Sequence, residues 1–548
     1  MQPVKPKKLI IFTDSGDTII DEATQVFDEK GIVTRADFIP GADAVLKELH
    51  DEGYRIALVA DGEWDSFQNV YRENGLGYCF ETWTVSERVG EQKPSFLMFD
   101  DAMEKMGLKE EDKPFIVMIG NNIKKDVAGA NRYGLRSVWL DWSPRYFHEY
   151  EEAAWKPDHV VKTPRELKAL IDRLEAEAEN AEKIRQELKE RCKDRLSRIV
   201  GSFKKILYEE DETFIKNMKD HNLAGDDIRK YRFWEWTQGV GLFGIWKLYK
   251  QEKKEEYLDI LKAYYDQQLE TGFPALNVNT VTPYLAMSFV AEETGEEKYM
   301  QPCLNAVKWI MESFPRTKEG GFQHMTSDSV NDQELWDDTL YMTVLFLANM
   351  CRITGDKAMK EEVEKQFLIH EKYLCDEKTG LWYHGWTFNG NHNFAGAFWG
   401  RGNSWVTMFI PELLEILDFD SVFKDKLLRA FRKQADTLAI LQESDGMWHT
   451  LIDDPSSYTE ASATSGFAYG LLKGVEKGFL EGFYEKTAGK AVKAILDRVT
   501  DEGIVEQVSY GTPMGRETKE FYKQIEIKPM PYGQAMAILL LMEYLRFC

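Results

Sequence analysis

The chain has 548 residues, with 69 basic against 93 acidic side chains for a net charge of −24, and it is 43% hydrophobic, 13% aromatic and 30% charged. At about 150 residues per domain this length predicts two or more packed domains, and the apolar content excludes bulk disorder. The acidic balance disfavours nucleic acid and anionic membrane surfaces as partners.

No apolar run approaches the roughly 20 residues of a bilayer span, and the N-terminal stretch Leu9–Phe12 is too short for a signal peptide. Six cysteines (Cys79, Cys192, Cys303, Cys351, Cys375 and Cys548) are scattered without a CxxC pair or zinc-like spacing. They predict reduced thiols in a cytoplasmic protein. Nothing in the sequence signals an oligomeric state.

Over residues 7–140, short β-rich runs alternate with amphipathic segments. Strands are predicted at Lys8–Thr13, Arg55–Ala60, Phe115–Ile119 and Ser137–Leu140, with helices such as Gly41–Glu52 and Ser95–Met106 between them. That alternation predicts an α/β domain over residues 1–172, a Rossmann-like parallel sheet with helices on both faces and its chemistry at the carboxyl ends of the strands. Between Asp172 and Leu196, 15 of 25 residues are charged and none is Gly or Pro. Mixed signs at helical spacing predict one solvated helix joining two domains, a linker over residues 173–196.

Beyond residue 197 strand signals become rare and helical periodicity recurs about a dozen times, from Val240–Lys250 to Tyr532–Phe547. The pattern predicts an all-α domain over residues 197–548 built as a closed ring of helical hairpins. Ten of the fifteen tryptophans lie in this half, many beside Gly, Asp, Arg or His. Placed on loops at one end of a helical barrel, such rings suit a sugar-stacking cleft, although any one of them also serves as core packing.

The first domain opens with IIFTDSGDTIID, then carries ALVADG (Ala57–Gly62), Lys93–Pro94 and IGNNIKKDVAGA (Ile119–Ala130). This set resembles the haloacid dehalogenase-like hydrolases. The resemblance implies that Asp14 is a phosphoryl-accepting nucleophile and that Lys93 neutralises the aspartyl-phosphate. It also implies a magnesium ion held by Asp14, Asn121 and Asp126.

The departures are chemical. Position 16 is Gly where the family has its acid/base Asp, Asp17 is displaced by one residue, Ala60 replaces a phosphate-binding hydroxyl, and Asn121 replaces a more common Asp. Loss of a general acid costs on the order of 10²–10⁴ in rate, so little sugar-phosphate hydrolysis is expected. Transfer from an activated ester, whose leaving group needs no proton, survives that loss.

In the second domain QELWDDTLYM (Gln333–Met342) puts two acids at a predicted helix start. One suffices to cap free N–H groups, and a second beside Trp336 has the apolar neighbour that raises a carboxyl pKa. WEWTQGVGLFG (Trp234–Gly244), LNVNT (Leu276–Thr280), GLWYHGW (Gly380–Trp386), WGRGNSW (Trp399–Trp405), GMWHTLIDD (Gly446–Asp454) and EASATSGFAYG (Glu460–Gly470) accompany it.

Together these motifs resemble the unsaturated glucuronyl and rhamnogalacturonyl hydrolases of glycoside hydrolase families 88 and 105, and are most similar to family 105. The resemblance implies an (α/α)6 barrel, no cofactor in this domain, and an oligosaccharide substrate left by polysaccharide lyases as in pectin degradation. An aspartic acid protonates C4 of the terminal unsaturated uronic acid, water adds at C5, and the hemiketal rearranges to release the sugar. Asp338 maps onto the catalytic acid with Trp336 as its neighbour, and Asp337 onto a cap.

His384, Arg401 and Trp405 map onto the binding His, the uronate-binding Arg and a stacking Trp. For Arg401 a structural role tying loop carbonyls together is the alternative. Trp386, His449, Ser462 and Thr464 are further cleft candidates, and His449 reads equally as a core histidine. Asn277 and Asn279 stand where many members have a second Asp, leaving Asp338 with neutral help only. Two other readings remain open: a bifunctional enzyme whose first domain is a magnesium-dependent phosphatase, and a non-catalytic carbohydrate-binding protein.

Overall fold

The computed structural model describes residues 7–547 and divides into two compact units. The first ends at Glu187 and takes in Glu481–Phe483; the second runs over Leu188–Leu480 and from Tyr484 onward. Cys79, Cys303, Cys351 and Cys375 are free thiols, and Cys548 lies outside the described residues. Among the described residues no helix is long and apolar enough to cross a membrane.

In the first unit the strands β1 (Ile10–Thr13), β4 (Arg55–Ala60), β5 (Thr82–Val85), β6 (Ile116–Gly120), β7 (Arg136–Leu140) and β8 (His159–Val161) form one sheet in the order β5-β4-β1-β6-β7-β8. Every neighbouring pair is parallel. The intervening β2 (Val26–Phe27) and β3 (Val33–Arg35) make a separate antiparallel hairpin. The central strands are buried on both faces, as their unbroken apolar runs require. Helices α1 (Ala42–Asp51), α2 (Trp64–Glu73), α3 (Phe96–Met106) and α4 (Ala128–Tyr133) lie along the chain between strands. Asp14, Asp61 and Asn121 each follow the carboxyl end of a strand, where parallel sheets gather their chemistry.

The expected single linker helix is two helices. Helix α5 (Pro164–Glu179) starts at Pro164 behind a Thr163 cap, and its Leu174 and Ala178 belong to the core of the first unit. Asn180 separates it from α6 (Ala181–Ile206), whose Cys192, Leu196 and Ile199 are buried. The boundary at Glu187 falls inside α6.

The second unit is the ring of hairpins that the periodicity predicts. Six helices form its inner wall: α7 (Trp236–Glu252), α9 (Pro283–Thr294), α11 (Leu345–Thr354), α13 (Gly400–Ile416), α15 (Ala461–Glu476) and α17 (Pro531–Phe547). Each packs on the next and α17 packs back on α7, closing an (α/α)6 barrel. The inner helices are apolar nearly all round; every residue from Pro531 to Glu543 is buried, as is every residue from Ala461 to Gly474.

The outer helices α8 (Glu255–Thr271), α10 (Glu297–Ser313), α12 (Lys357–Leu374), α14 (Ser421–Leu441) and α16 (Tyr484–Leu496) bury one face only. The second half of α6 completes the outer layer, with Gln534 Nε2 of α17 donating to Ser202 Oγ at 2.7 Å. Close approach of α13 and α15 depends on Gly470, where a Cβ would overlap the carbonyl oxygen of Thr407.

Candidate active site

The amino ends of five of the six inner helices, or the loops that feed them, converge on one cleft of about 550 Å³. Its walls include Glu235, Trp236, His324, Trp336, Asp338 and Trp399. Unsatisfied N–H groups at helix amino ends favour an anion, so this end of the barrel suits an acidic sugar.

A two-stranded ladder organises the acid pair. β9 (Glu334–Trp336) pairs with β10 (Gly385–Thr387), and the Asp337 N–H donates to His384 O at 3.1 Å. The chain then enters a π-turn over Leu340–Val344 before α11. A strand therefore runs up to the WDD triplet where sequence reasoning expected helix. One ring nitrogen of His384 and one oxygen each from Asp337 and Asp338 lie within 4.8 Å of one another.

The two acids are not equivalent. Asp338 lines the cleft, whereas Asp337 is sealed from solvent, and its oxygens make no well-formed hydrogen bond among the described residues. A Cβ at position 402 would overlap Asp337 Oδ2 and lie 2.7 Å from Oδ1, so the first turn of α13 needs Gly402 to leave room for this carboxyl. Burial first, and the Asp338 charge second, push Asp337 well above the carboxylate range, so it holds a proton. Burial also works to raise Asp338, but the approach of the His384 ring outweighs it and holds Asp338 down at about 2.

This corrects the expectation that Trp336 keeps Asp338 neutral and that Asp337 caps the helix. The indole stacks instead on His324, with centroids 4.1 Å apart and planes 7° from parallel. Burial lowers both imidazoles, His324 to about 3. The neutral His384 ring receives a hydrogen bond at Nδ1 from the Tyr522 hydroxyl (2.6 Å), the arrangement its surroundings favour. Its Nε2 then faces Asp338 Oδ2 at 3.5 Å.

Other predicted residues lie elsewhere. Arg401 is fully buried: Nη1 donates to Ser509 O (2.9 Å) and Ser509 Oγ (2.5 Å), and Nη2 to Tyr510 O (3.0 Å) and Thr512 Oγ1 (2.9 Å). It fastens the loop whose Tyr510 and Thr512 line the cleft, which is the structural alternative, and the guanidinium groups lining the cleft belong to Arg232 and Arg516. Trp405 is sealed beneath the cleft against Tyr341 and at right angles to Trp236; Trp236, stacked on Tyr532, and not Trp405 lines the cleft.

Trp386 pairs across the ladder with Leu335, not with Trp336, and packs on Tyr373 and Phe388 away from the cleft. His449 is the satisfied core histidine, bonded to Ser457 O and to Glu443 Oε1 (3.1 Å). Ser462 bonds Glu460, and Thr464 accepts from the Trp448 N–H.

One cleft carboxyl escaped sequence reasoning. Glu235 follows Trp234 in a quoted motif, but its environment is made 92 residues away by Ser327, whose hydroxyl bonds Glu235 Oε1. Burial pushes Glu235 up to about 8, against hydrogen bonds from Ser327 and Asn279, so at neutral pH it carries a proton. Asn279 therefore lies beside a carboxyl that, protonated, is neutral help in addition to the amides of the ALNVNT segment.

The first unit assembles its own polar cluster. Lys93 Nζ is buried between Asp14 Oδ1 (2.7 Å) and Asp126 Oδ1 (2.6 Å) and also donates to Val59 O (2.8 Å). Asp61 accepts from the Lys93 N–H and pairs with Lys125 at 2.9 Å. Burial raises Asp14 to about 7; Lys93 opposes the rise, and Asp126 and Asp61 add to it. The oxygens of Asp14, Asp126 and Asn121 are donors that magnesium prefers, and the buried Asn121 Nδ2 finds no partner among the described residues. The oxygen types suit the ion, and the Lys93 ammonium lies between Asp14 and Asp126.

A helical barrel whose cleft gathers one open and one sealed carboxyl beside indole rings suits a glycosidase. The chain belongs to glycosyl hydrolase family 88, whose family model matches residues 207–548. An unsaturated rhamnogalacturonyl hydrolase, YesR of Bacillus subtilis, is 32% identical over 316 residues, covering 57% of this chain and 90% of the relative. A crystal structure described as a possible member of the GH105 family from Salmonella enterica is 40% identical, with a TM-score of 0.61, and covers 64% of this chain and 94% of that one.

Residues 8–134 match the haloacid dehalogenase-like hydrolase model. A glyceraldehyde 3-phosphate phosphatase of Methanothermobacter thermautotrophicus is 27% identical over 137 residues, which is 24% of this chain and 54% of that relative. The match spans about half that phosphatase.

Proposed function

We propose that the barrel removes a terminal unsaturated uronic acid, of the rhamnogalacturonyl type, from lyase-generated oligosaccharides by hydrating the C4=C5 bond. The observation that carries this reading is the geometry of the acid pair: Asp338 lines the cleft 3.5 Å from His384, and Asp337 is sealed behind it, where burial pushes its carboxyl well above the usual range. Adjacent carboxyls on one wall do not flank a glycosidic bond as the two carboxyls of an ordinary glycosidase do. They do store one proton beside one base.

A substrate uronate near Asp338 raises its proton affinity and draws the stored proton onto it. Asp338 delivers that proton to C4, and its carboxylate then takes one from the water that adds at C5. The C5 hemiketal opens and the aglycone leaves. Glu235, neutral beside Asn279, donates a hydrogen bond without adding negative charge. Arg516, half-exposed on the cleft wall and bonded to Glu334 at 2.8 Å, faces the uronate carboxylate.

Likeness to YesR supports the rhamnose-linked substrate and a place in pectin breakdown. The test is loss of the ultraviolet absorbance of the double bond across a panel of lyase products. Fastest loss on the rhamnogalacturonan product is expected; a preference for a glucuronyl product would overturn the substrate type.

For the first unit we infer phosphoryl transfer to Asp14, with Lys93 countering its charge. Asp14, Asn121 and Asp126 would hold a magnesium ion, which supplies positive charge to the phosphoryl oxygens when bound. The pairing of Lys93 with both Asp14 and Asp126 supports this reading. Its test is an acid-stable mass increase of one phosphoryl group on Asp14 after exposure to nitrophenyl phosphate and magnesium, absent in Asp14→Asn.

A further inference from the structure

The phosphatase-like motif of the first unit has Gly16 two residues beyond Asp14, where its family carries the proton donor. The folded chain does not leave that volume without a carboxyl. A Cβ on Gly16 would overlap Glu22 Oε1 and lie 2.8 Å from Glu22 Cδ and 3.1 Å from Cγ.

Local structure brings Glu22 there. The Asp17 N–H donates to Ile20 O at 2.7 Å and the Ile20 N–H to Ser15 O at 3.0 Å, so the chain doubles back on itself just after Asp14. A short turn over Glu22–Thr24 follows, capped by Asp21. Within it the Glu22 N–H donates to Asp17 Oδ1 at 3.1 Å. The Tyr146 hydroxyl donates to Glu22 Oε2 at 2.6 Å, fixing one oxygen and leaving Oε1 in the volume of the missing side chain. Asp17, the acid nearest in sequence, has no such freedom. It is sealed from solvent, and both of its oxygens are bound by Arg145.

We propose that Glu22 is the proton donor that Gly16 cannot be, which makes the first unit a hydrolase of phosphate monoesters of ordinary alcohols, small sugar phosphates included. The proposal rests on the reading of Asp14 as nucleophile. As an Asp14 oxygen bonds to phosphorus and the ester P–O bond breaks, protonated Glu22 gives its proton to the departing alkoxide. Ionised Glu22 then takes a proton from the water that attacks the aspartyl-phosphate, releasing inorganic phosphate and restoring both carboxyls. A reading in which the missing acid silences the domain gives way to one in which the acid comes from another position.

The experiment compares full-length wild type, Glu22→Gln, Glu22→Ala and the double variant Glu22→Ala/Gly16→Asp on sugar phosphates and on nitrophenyl phosphate, with magnesium. Wild type is expected to hydrolyse both esters. Glu22→Gln should lose at least 100-fold on sugar phosphates, yet release about one equivalent of nitrophenol and accumulate the phosphoryl adduct on Asp14 by intact mass. Gly16→Asp in the Glu22→Ala background should restore sugar-phosphate turnover, because it returns a carboxyl to the same volume.

Sugar-phosphate turnover unchanged in Glu22→Gln would overturn the proposal. So would a double variant as inactive as Glu22→Ala alone, since Glu22 would then act by holding Tyr146. Wild type that forms the adduct but leaves sugar phosphates intact would refute Glu22 and spare Asp14. Wild type that forms no adduct and cleaves neither ester would refute both.

Discussion

The two units bury acids in opposite ways. In the barrel cleft, burial pushes the Asp337 and Glu235 carboxyls up and the His324 and His384 imidazoles down, so the groups around Asp338 tend toward their neutral forms. In the sheet unit, Asp14, Asp61, Asp126 and Asp17 are instead matched by Lys93, Lys125 and Arg145. A site built on neutral acids is suited to moving protons onto an uncharged double bond. One built on paired charges is suited to receiving a phosphoryl group.

The largest expected effect separates the members of the barrel pair. Asp338→Asn should cut uronide turnover by at least about 10³-fold while leaving the melting temperature nearly unchanged, because an amide neither gives nor accepts the proton at C4. If Asp337→Asn were inactive and Asp338→Asn near native, the roles of the two acids would be exchanged.

Next come the two arginines. Arg401→Lys discards a fork that holds four acceptors in the Ser509–Thr512 loop and should cost about 2 kcal/mol of stability, read from denaturant midpoints, together with a higher KM. Arg516→Ala should raise KM for a uronate substrate with stability shifted by less than about 0.5 kcal/mol. Equal stability losses would erase the distinction between the loop fastener and the cleft cation.

A pH-dependent effect is a slope. Glu235 binds its proton more tightly when folded, with a pKa of about 8 against 4.5 when unperturbed. Between those values the folded chain holds a proton that the unfolded chain releases, so this group makes stability fall as pH rises through the window. The slope approaches about 1.4 kcal/mol per pH unit. Glu235→Gln should remove that contribution, measured as the wild-type minus variant difference in unfolding free energy from pH 5 to 8. A flat difference would mean that Glu235 is ionised in the folded state.

Much of the architecture was legible because it is local. Long apolar runs marked β1, β4, β6 and β7, and 3.6-residue periodicity marked all six inner helices. The strand β5 was missed because TWTV is four residues of which only two are buried, and the break at Asn180 because good helix formers surround it. In the site, Trp336, Asp338 and His384 were readable as a set through the family motifs they match; the three-residue ladder that brings them together was not, because its strands lie about 50 positions apart.

Spacing alone did not reveal which way a side chain points. Arg401 and Trp405 sit in the first turns of α13, yet one turns toward the Ser509–Thr512 loop and the other beneath the floor. The carboxyls of Glu235 and Glu22 acquire their settings from Ser327 and Tyr146, partners 92 and 124 positions away. No local pattern records such contacts.

The central claim is that the cleft hydrates a double bond and does not attack the anomeric carbon. The direct measurement follows ultraviolet absorbance and aglycone release together on an unsaturated rhamnogalacturonyl disaccharide, with wild type and Asp338→Asn. The account predicts that wild type loses absorbance one-for-one with aglycone released and that Asp338→Asn does neither. Aglycone released ahead of any absorbance loss would contradict it.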